Sequence, residues 1–344
     1  MSSTTATAIA RGRRRRGLRR RSASALLLTG VVVVFAVSLM VGHTFYGPFE
    51  VLRVIGGETV PGASFTVGDL RLPRGVLAVL AGAAFGLGGV TFQTMLRNPL
   101  ASPDVIGISS GASAAAVVAL LVFEVDKPQV SLLAILAALA TALVIYMLSF
   151  KDGLVGTRLI LVGIGVAAML DSVVAYVIMR AAVWDLQTAM RWLTGSLNAA
   201  SWEQVLPLAL AGLGAAPVLL AQGGNLDLLQ HGDDAAAALG VRVESTRLIS
   251  IVTAVVLIAF ATAAAGPIAF VAFLSGPIAA RLVGPGRSLM VPAAMSGGLL
   301  VLTADLAGQF AFDARYPVGV VTGVLGAPYL VYLLVRTNRA GGSL

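Results

Sequence analysis

The chain has 344 residues, 58% of them hydrophobic and 12% charged, against about 25% charged in an ordinary globular protein, so a soluble fold is excluded. No cysteine and only two histidines, His43 and His231, are present, which excludes a disulfide framework, thiolate chemistry and any cluster with metal-ligand spacing. The net charge of +8 is concentrated: eight of the 24 basic residues are Arg11, Arg13, Arg14, Arg15, Arg16, Arg19, Arg20 and Arg21. Beside an apolar stretch such a run reads as a cytoplasmic membrane anchor. An RNA-binding arm is the competing reading, and no aromatic side chain interleaves the arginines to stack bases.

A bilayer core of about 30 Å takes about 20 apolar residues per helix. Runs of that kind, cut at charges, Pro and Gly, start near Ser24, Leu70, Ile108, Val130, Arg158, Glu203, Thr246, Ala269, Leu289 and Val318. The prediction is an all-α polytopic membrane protein of about ten transmembrane helices. A basic tail occupies residues 1–22, the transmembrane domain 23–336 and a short tail 337–344. The apolar stretch 23–40 exceeds the core of a signal peptide, and its helix is expected to be retained. The eighth run is short and follows Gly266-Pro267, the pattern of a broken helix that lines a cavity.

With a cytoplasmic amino terminus, ten crossings return the carboxyl terminus to the cytoplasm. Loops then placed inside hold Arg97, Lys151, Arg158, Arg242, Arg247, Arg281, Arg287, Arg336 and Arg339. The outside holds Arg53, Arg71, Arg74, Lys127, Arg180, Arg191 and Arg315, so the orientation leans on the tail. Two connectors are long. The outer segment 47–69, rich in Gly and Pro, is expected to cap the first two helices, with room for an amphipathic turn. The inner segment 222–245 mixes apolar and acidic residues with alanine and is expected to form short helices outside the membrane. A solvated loop is the plainer reading.

Glycines in the second span (Gly82, Gly86, Gly88, Gly89) and the fifth (Gly163, Gly165) suit close helix contact, because lipid gives no hydrophobic drive for helix association. The stretch from Gly163 to Ala168 formally matches a dinucleotide fingerprint but lacks a preceding strand. No GxxxxGK[ST] occurs, so ATP-driven work requires a second polypeptide. Asp171, Asp305 and Glu203 fall within or beside apolar spans, where a carboxylate is costly. Each is either a pathway or proton-carrying group or an acid satisfied by neighbouring hydroxyls and helix ends. An ion-coupled secondary transporter using Asp171 or Asp305 is therefore one functional reading, and an assembly scaffold that transports nothing is another.

The stretch 71–115 opens RLPR, continues as a glycine-rich run through Gln93, and enters RNPLASPDVIGISSGA. Further on stand Leu239-Gly240-Val241, Gly266-Pro267-Ile268-Ala269-Phe270-Val271, Arg281-Leu282-Val283-Gly284, Ala304-Asp305 and Pro317-Val318-Gly319-Val320-Val321-Thr322-Gly323 with Gly326-Ala327-Pro328. In these residues the chain resembles the membrane-spanning permease subunit of type II ABC importers for ferric siderophores, haem and cobalamin.

The resemblance implies a type II ABC importer permease fold that forms a pathway with a second permease subunit, as homodimer or heterodimer. It places ATP-binding-cassette ATPase subunits below and an extracytoplasmic siderophore-binding protein above, in the cytoplasmic membrane. Cofactors are none for this chain; ATP and Mg belong to the ATPase. Residues 226–241 then correspond to coupling helices, with Leu226, Leu229, Asp233, Asp234, Leu239 and Gly240 meeting the ATPase. The cytoplasmic gate falls on Asn98, Leu100, Gly156 and Thr157, and Gly163, Gly165 and Asp171 line the pathway. Arg71 and Arg74 match arginines that pair with glutamates of the binding protein.

The sequence also departs from the family pattern. Ser275-Gly276-Pro277 stands where many members have Ala-Pro-His, so no role of that histidine transfers. The pattern Ala-Asp-x-x-x-Arg ends here in Gln309, removing a third docking arginine, and Arg315 stands six residues on where glutamate is frequent. Arg315 is expected to supply the missing docking charge.

Overall fold

A computed structural model describes residues 3–150, 156–198, 200–284 and 288–339. Lys151, Arg287 and the tail beyond 339 lie outside the described residues, as do the side chains of Arg11, Arg13, Arg15, Arg16, Arg336 and Arg339. The helices are α1 (Ser3–Met40), α2 (Pro48–Ile55), α3 (Leu72–Met95, entered through a π-helical turn, Ser64–Arg71), α4 (Pro103–Ile106) and α5 (Ile108–Leu121). They continue with α6 (Lys127–Ser149), α7 (Gly156–Arg180), α8 (Val183–Leu193), α9 (Trp202–Ala221), α10 (Gly223–Leu229) and α11 (Asp233–Ala238). The last four are α12 (Val243–Ala265), α13 (Val271–Val283), α14 (Met290–Phe310) and α15 (Val318–Arg339).

Among the described residues seven helices are long and apolar enough to cross a membrane: α1, α3 with its π turn, α6, α7, α9, α12 and α14. Three shorter apolar helices, α5, α13 and residues 318–333 of α15, complete the ten expected runs. The outer connector contains α2, and the inner one contains α10 and α11. Three features go beyond the sequence reading. The arginine run is the first part of α1, since arginine is a good helix former and continues the apolar helix without a break. The second span starts at Ser64, before the expected Leu70. α8 is an additional amphipathic helix between the fifth and sixth spans, too polar to register as an apolar run.

α3 is the axis of the bundle, packed by α14, α12, α13 and α9. Its glycines make this possible. A methyl group on Gly82 would fall on the carbonyl of Gly297, and one on Gly89 on the carbonyl of Ala272, so the backbones of α14 and α13 approach to direct contact and dispersion supplies the packing energy. Phe85 and Phe92 are fully buried beside them.

α13 is broken away from α12 at residues 266–270, with Gly266 at φ 72° and Phe270 at φ 64°. The Phe270 ring lies against Gly326 of α15, a site where any larger side chain would collide with it. Gln93 of α3 donates to the Phe273 carbonyl at 2.9 Å, satisfying backbone in the first turn of this short helix.

Candidate functional site

The bundle has a basic end, where α1 carries its arginines, and a far end. At the basic end Arg19 donates to the Arg281 carbonyl at 2.9 Å, fixing the arginine-bearing helix to the end of α13. α3 ends at Leu96, and the chain turns sharply: Arg97 has φ 51°, and the Asn98 carboxamide oxygen accepts from the Leu100 backbone N–H at 2.9 Å. This tight turn puts Asn98 and Leu100 into different spaces. Asn98 lines a cavity of about 600 Å³ with Gln93, Arg97, Asp227 and Pro277. Leu100 lines one of about 420 Å³ with Asp104, Ser109, Ser113, Phe270 and Phe273. Gly156 packs on the end of the Leu96 side chain, and Thr157 is exposed beside it. Three expected gate residues, Asn98, Leu100 and Gly156, thus gather around the end of α3.

The ledge formed by α10 and α11 is fastened to the same turn. Arg97 donates through Nε to the Leu229 carbonyl at 2.9 Å and pairs with Asp233, which is also held by Arg247 of α12 at 2.9 Å. Asp233 therefore faces two arginines of its own chain. Leu226 and Leu229 are each only 1% exposed and anchor the ledge inward, because an amphipathic helix of this length has one apolar face and the bundle takes it. Asp234, Leu239 and Gly240 remain outward, with Leu239 64% exposed. Gly240, at φ 88°, closes α11 in the left-handed conformation that glycine supplies, and the Val241 N–H returns to the Ala236 carbonyl at 3.0 Å.

At the far end Arg71, Arg74 and Arg315 line one cavity of about 300 Å³. Arg71 donates to the carbonyls of Leu39 and Met40, both at 2.9 Å, and of Thr44 at 2.7 Å, and stacks 5.2 Å from the Tyr46 ring centre. It caps the C-terminal end of α1, where the carbonyls carry partial negative charge. Arg74 meets Asp305 through two bonds, Nε to Oδ2 at 2.8 Å and a terminal nitrogen to Oδ1 at 2.7 Å. Gln309 donates to the same Oδ2 at 2.8 Å. For Asp305 the sequence leaves two readings, an acid satisfied by hydroxyls and helix ends or a proton carrier. Its partners are instead a guanidinium and a carboxamide, because α3 and α14 lie backbone to backbone and bring residues 231 positions apart together. Arg315 contacts His43 Nε2.

Along α7, Gly163 is buried with its backbone against Ile106, whereas Gly165 and Asp171 are exposed. Asp171 sits amid the outward-facing Met169, Val173 and Tyr176 on a helix that this chain scarcely covers. Ionised, it would be costly against lipid and calls for water or another subunit beside it.

Asp104, in the one-turn helix α4, stands in the motif between Ser102 and Ser109 and carries no signal there that marks it as a site. It accepts from the Ser109 hydroxyl at 2.6 Å. Burial pushes its carboxyl up from the ordinary range, and the Ser109 and Ser102 hydroxyls partly oppose the shift. Among the described residues no three His, Asp or Glu side chains form a metal-ligating group.

Residues 30–336 match the FecCD transport family. The ferric enterobactin transport system permease protein FepG of Escherichia coli (strain K12) is 39% identical over 318 residues, covering 91% of this chain and 96% of that protein. The iron(3+)-hydroxamate import system permease protein FhuG of Bacillus subtilis (strain 168) is 34% identical over 90% of this chain and 95% of its own. The solved inward-facing structure of a metal-chelate type ABC transporter superimposes with a TM-score of 0.82 at 26% identity, covering 92% of this chain and 99% of that one.

Proposed function

This chain belongs to the FecCD transport family, and from that premise we infer a division of labour between its two ends. The protein is the membrane-spanning permease subunit of an ABC importer. The cargo we propose is a ferric siderophore, the class of iron chelate named for its relatives FepG and FhuG. The secondary-transport reading finds no support: the family and the relatives are ABC importer permeases, and Asp305 is held in an ion pair with Arg74.

The basic end is assigned to the cytoplasm, with both termini, and the far end to the outside of the cytoplasmic membrane. ATPase subunits that use ATP and Mg sit under the outward face of the ledge, at Asp234, Leu239 and Gly240. The binding of Asp233 to both Arg97 and Arg247 carries this reading. A push on the ledge reaches Arg97 through a charge-assisted bond and so moves Asn98 and Leu100, the adjoining gate residues, while α3 stays fixed by its backbone contacts. A second permease subunit across α7 covers Gly165 and Asp171 and encloses the pathway. An extracytoplasmic binding protein docks its carboxylates at the cavity lined by Arg71, Arg74 and Arg315, where Arg74 is already matched by Asp305 and the charges of Arg71 and Arg315 meet no carboxylate among the described residues. Arg315 shares that cavity with the other two, which supports its standing in for the arginine that Gln309 replaces. Recognition of cargo is delegated to the binding protein, and the pathway itself holds cargo weakly so that the ATPase cycle sets direction.

The test is reconstitution in proteoliposomes with a co-purifying ATPase and binding protein. ATP-dependent uptake of a ferric siderophore, lost when residues 226–241 are deleted, is expected. Uptake that survives this deletion, or that needs a proton gradient and no ATP, overturns the assignment.

A further inference from the structure

α6 and α9 both pack on α12, and between them at the far end a cleft opens that nothing above uses. It has two chambers joined by shared walls at Lys127, Ser131, Gln204, Ala263 and Ala264. The upper chamber, about 240 Å³, carries the polar side chains of Lys127, Arg191, Thr188, Asn198 and Gln204 on a wall otherwise built from apolar residues such as Leu120 and Trp192, and no carboxylate lines it. The lower chamber, about 580 Å³, is walled by Leu132, Ile135, Pro207 and Phe260. Its one acid is Glu203, at the start of α9.

Three observations identify what fits. Among the described residues the side chains of Lys127 and Arg191 make no hydrogen bond or ion pair, so two cations face the upper chamber unmatched. Against Glu203 in the adjoining chamber, they leave the cleft with one net positive charge. The cleft is also stratified by depth. Lys127 opens α6, and Leu132 and Ile135 lie one to two turns further into the bilayer. Glu203 and Pro207 repeat that order on α9. Finally, the flanking helices turn leucines outward, Leu132 on α6 and Leu206 and Leu210 on α9, so the lower chamber lies within the lipid-facing surface.

We propose that this cleft binds one anionic phospholipid, its phosphate held by Lys127 and Arg191 and its acyl chains lying against Leu132, Ile135, Pro207 and Phe260. The headgroup lies where a snorkelling lysine and an interfacial arginine reach water, and the chains enter a groove that the protein leaves unfilled.

The experiment uses the purified full chain in phosphatidylcholine nanodiscs containing phosphatidylglycerol of identical acyl chains, with retained lipid counted by native mass spectrometry. Phosphatidylglycerol is expected to be enriched, with its preference falling about fivefold for each cation removed in Lys127→Gln, Arg191→Gln and the double variant. Both side chains are exposed, and the variants are checked for unchanged elution and melting in phosphatidylcholine alone. Three results each overturn the proposal: equal retention of the two lipids, a preference unaltered in the double variant, or displacement of phosphatidylglycerol by millimolar glycerol 3-phosphate, which would mark a soluble-anion site. An acidic binding-protein segment as occupant would appear as a loss of docking in the double variant with no change in lipid. None of these readouts depends on transport.

Discussion

Arg74 and Asp305, 231 residues apart, are joined by two parallel hydrogen bonds of 2.8 and 2.7 Å across the α3–α14 contact. The pair is largely buried, with side chains 21% and 9% exposed. Removing one member leaves the other charge desolvated without a partner, at a cost of about 3 kcal/mol. Arg74→Ala and Asp305→Ala should each lower the melting temperature of the purified permease, and the double variant should lose less than the sum of the two. Additive losses would show that the two residues do not interact.

Arg315 lies on the rim of the cavity that also holds Arg71 and Arg74. Charge reversal at such a rim acts mainly on encounter. Arg315→Glu should slow association of the binding protein by about tenfold at low salt and flatten its dependence on ionic strength. The check is surface-immobilised permease with soluble binding protein. Unchanged kinetics would return the docking charge to Arg71 and Arg74 alone.

In the proposed mechanism the contacts of Asp233 with Arg97 and Arg247 link the ledge to the gate residues. Asp233→Ala should leave the transporter assembled and hydrolysing ATP while uptake falls, and substitutions at Asn98 or Leu100 should leak or uncouple in the same assay. Wild-type uptake per ATP in Asp233→Ala would remove this link from the mechanism.

Gly82 and Gly165 differ in what surrounds them. Gly82 meets the backbone of Gly297, whereas Gly165 has open space within this chain. Gly82→Val should force α3 and α14 apart and abolish monodisperse extraction from the membrane, since close-packed interiors tolerate little added volume. Gly165→Val should extract normally, with any defect confined to transport. Equal behaviour of the two variants in size-exclusion chromatography would contradict the packing described.

Burial raises the Asp104 carboxyl above its ordinary range, so the folded protein binds this proton more tightly than the unfolded chain. The associated stability is complete below the unfolded value of about 3.9 and is lost as pH rises through the higher folded value. Asp104→Asn should flatten that part of the stability-versus-pH curve and cost least at neutral pH. Melting curves from pH 4 to pH 8 that fall in parallel for both proteins would refute the assignment.

The ten apolar runs were legible because lipid imposes two demands that any single segment reveals: about 20 apolar residues, and backbone bonds satisfied within the helix. Motif order likewise supplied the family, from RLPR to Pro317-Val318-Gly319. α8 was not legible, because a short amphipathic helix on the bundle carries no apolar run. Nor were the partners of Asp305, Asp233 and Arg71. A sequence shows that a carboxylate in a membrane must be matched, but the choice among distant arginines is set by which backbones touch, for Asp305 through Gly82 and Gly86 against α14. The direction in which Leu226, Leu229 and Leu239 face was undetermined for the same reason: a six- or seven-residue helix has too few turns to fix its buried side until the bundle supplies one. Composition thus decided that the chain crosses the membrane, and the order of its motifs what it resembles. Tertiary packing decided which charges cancel and which remain to meet a partner, because only contact at hydrogen-bond distance removes a charge from the surface.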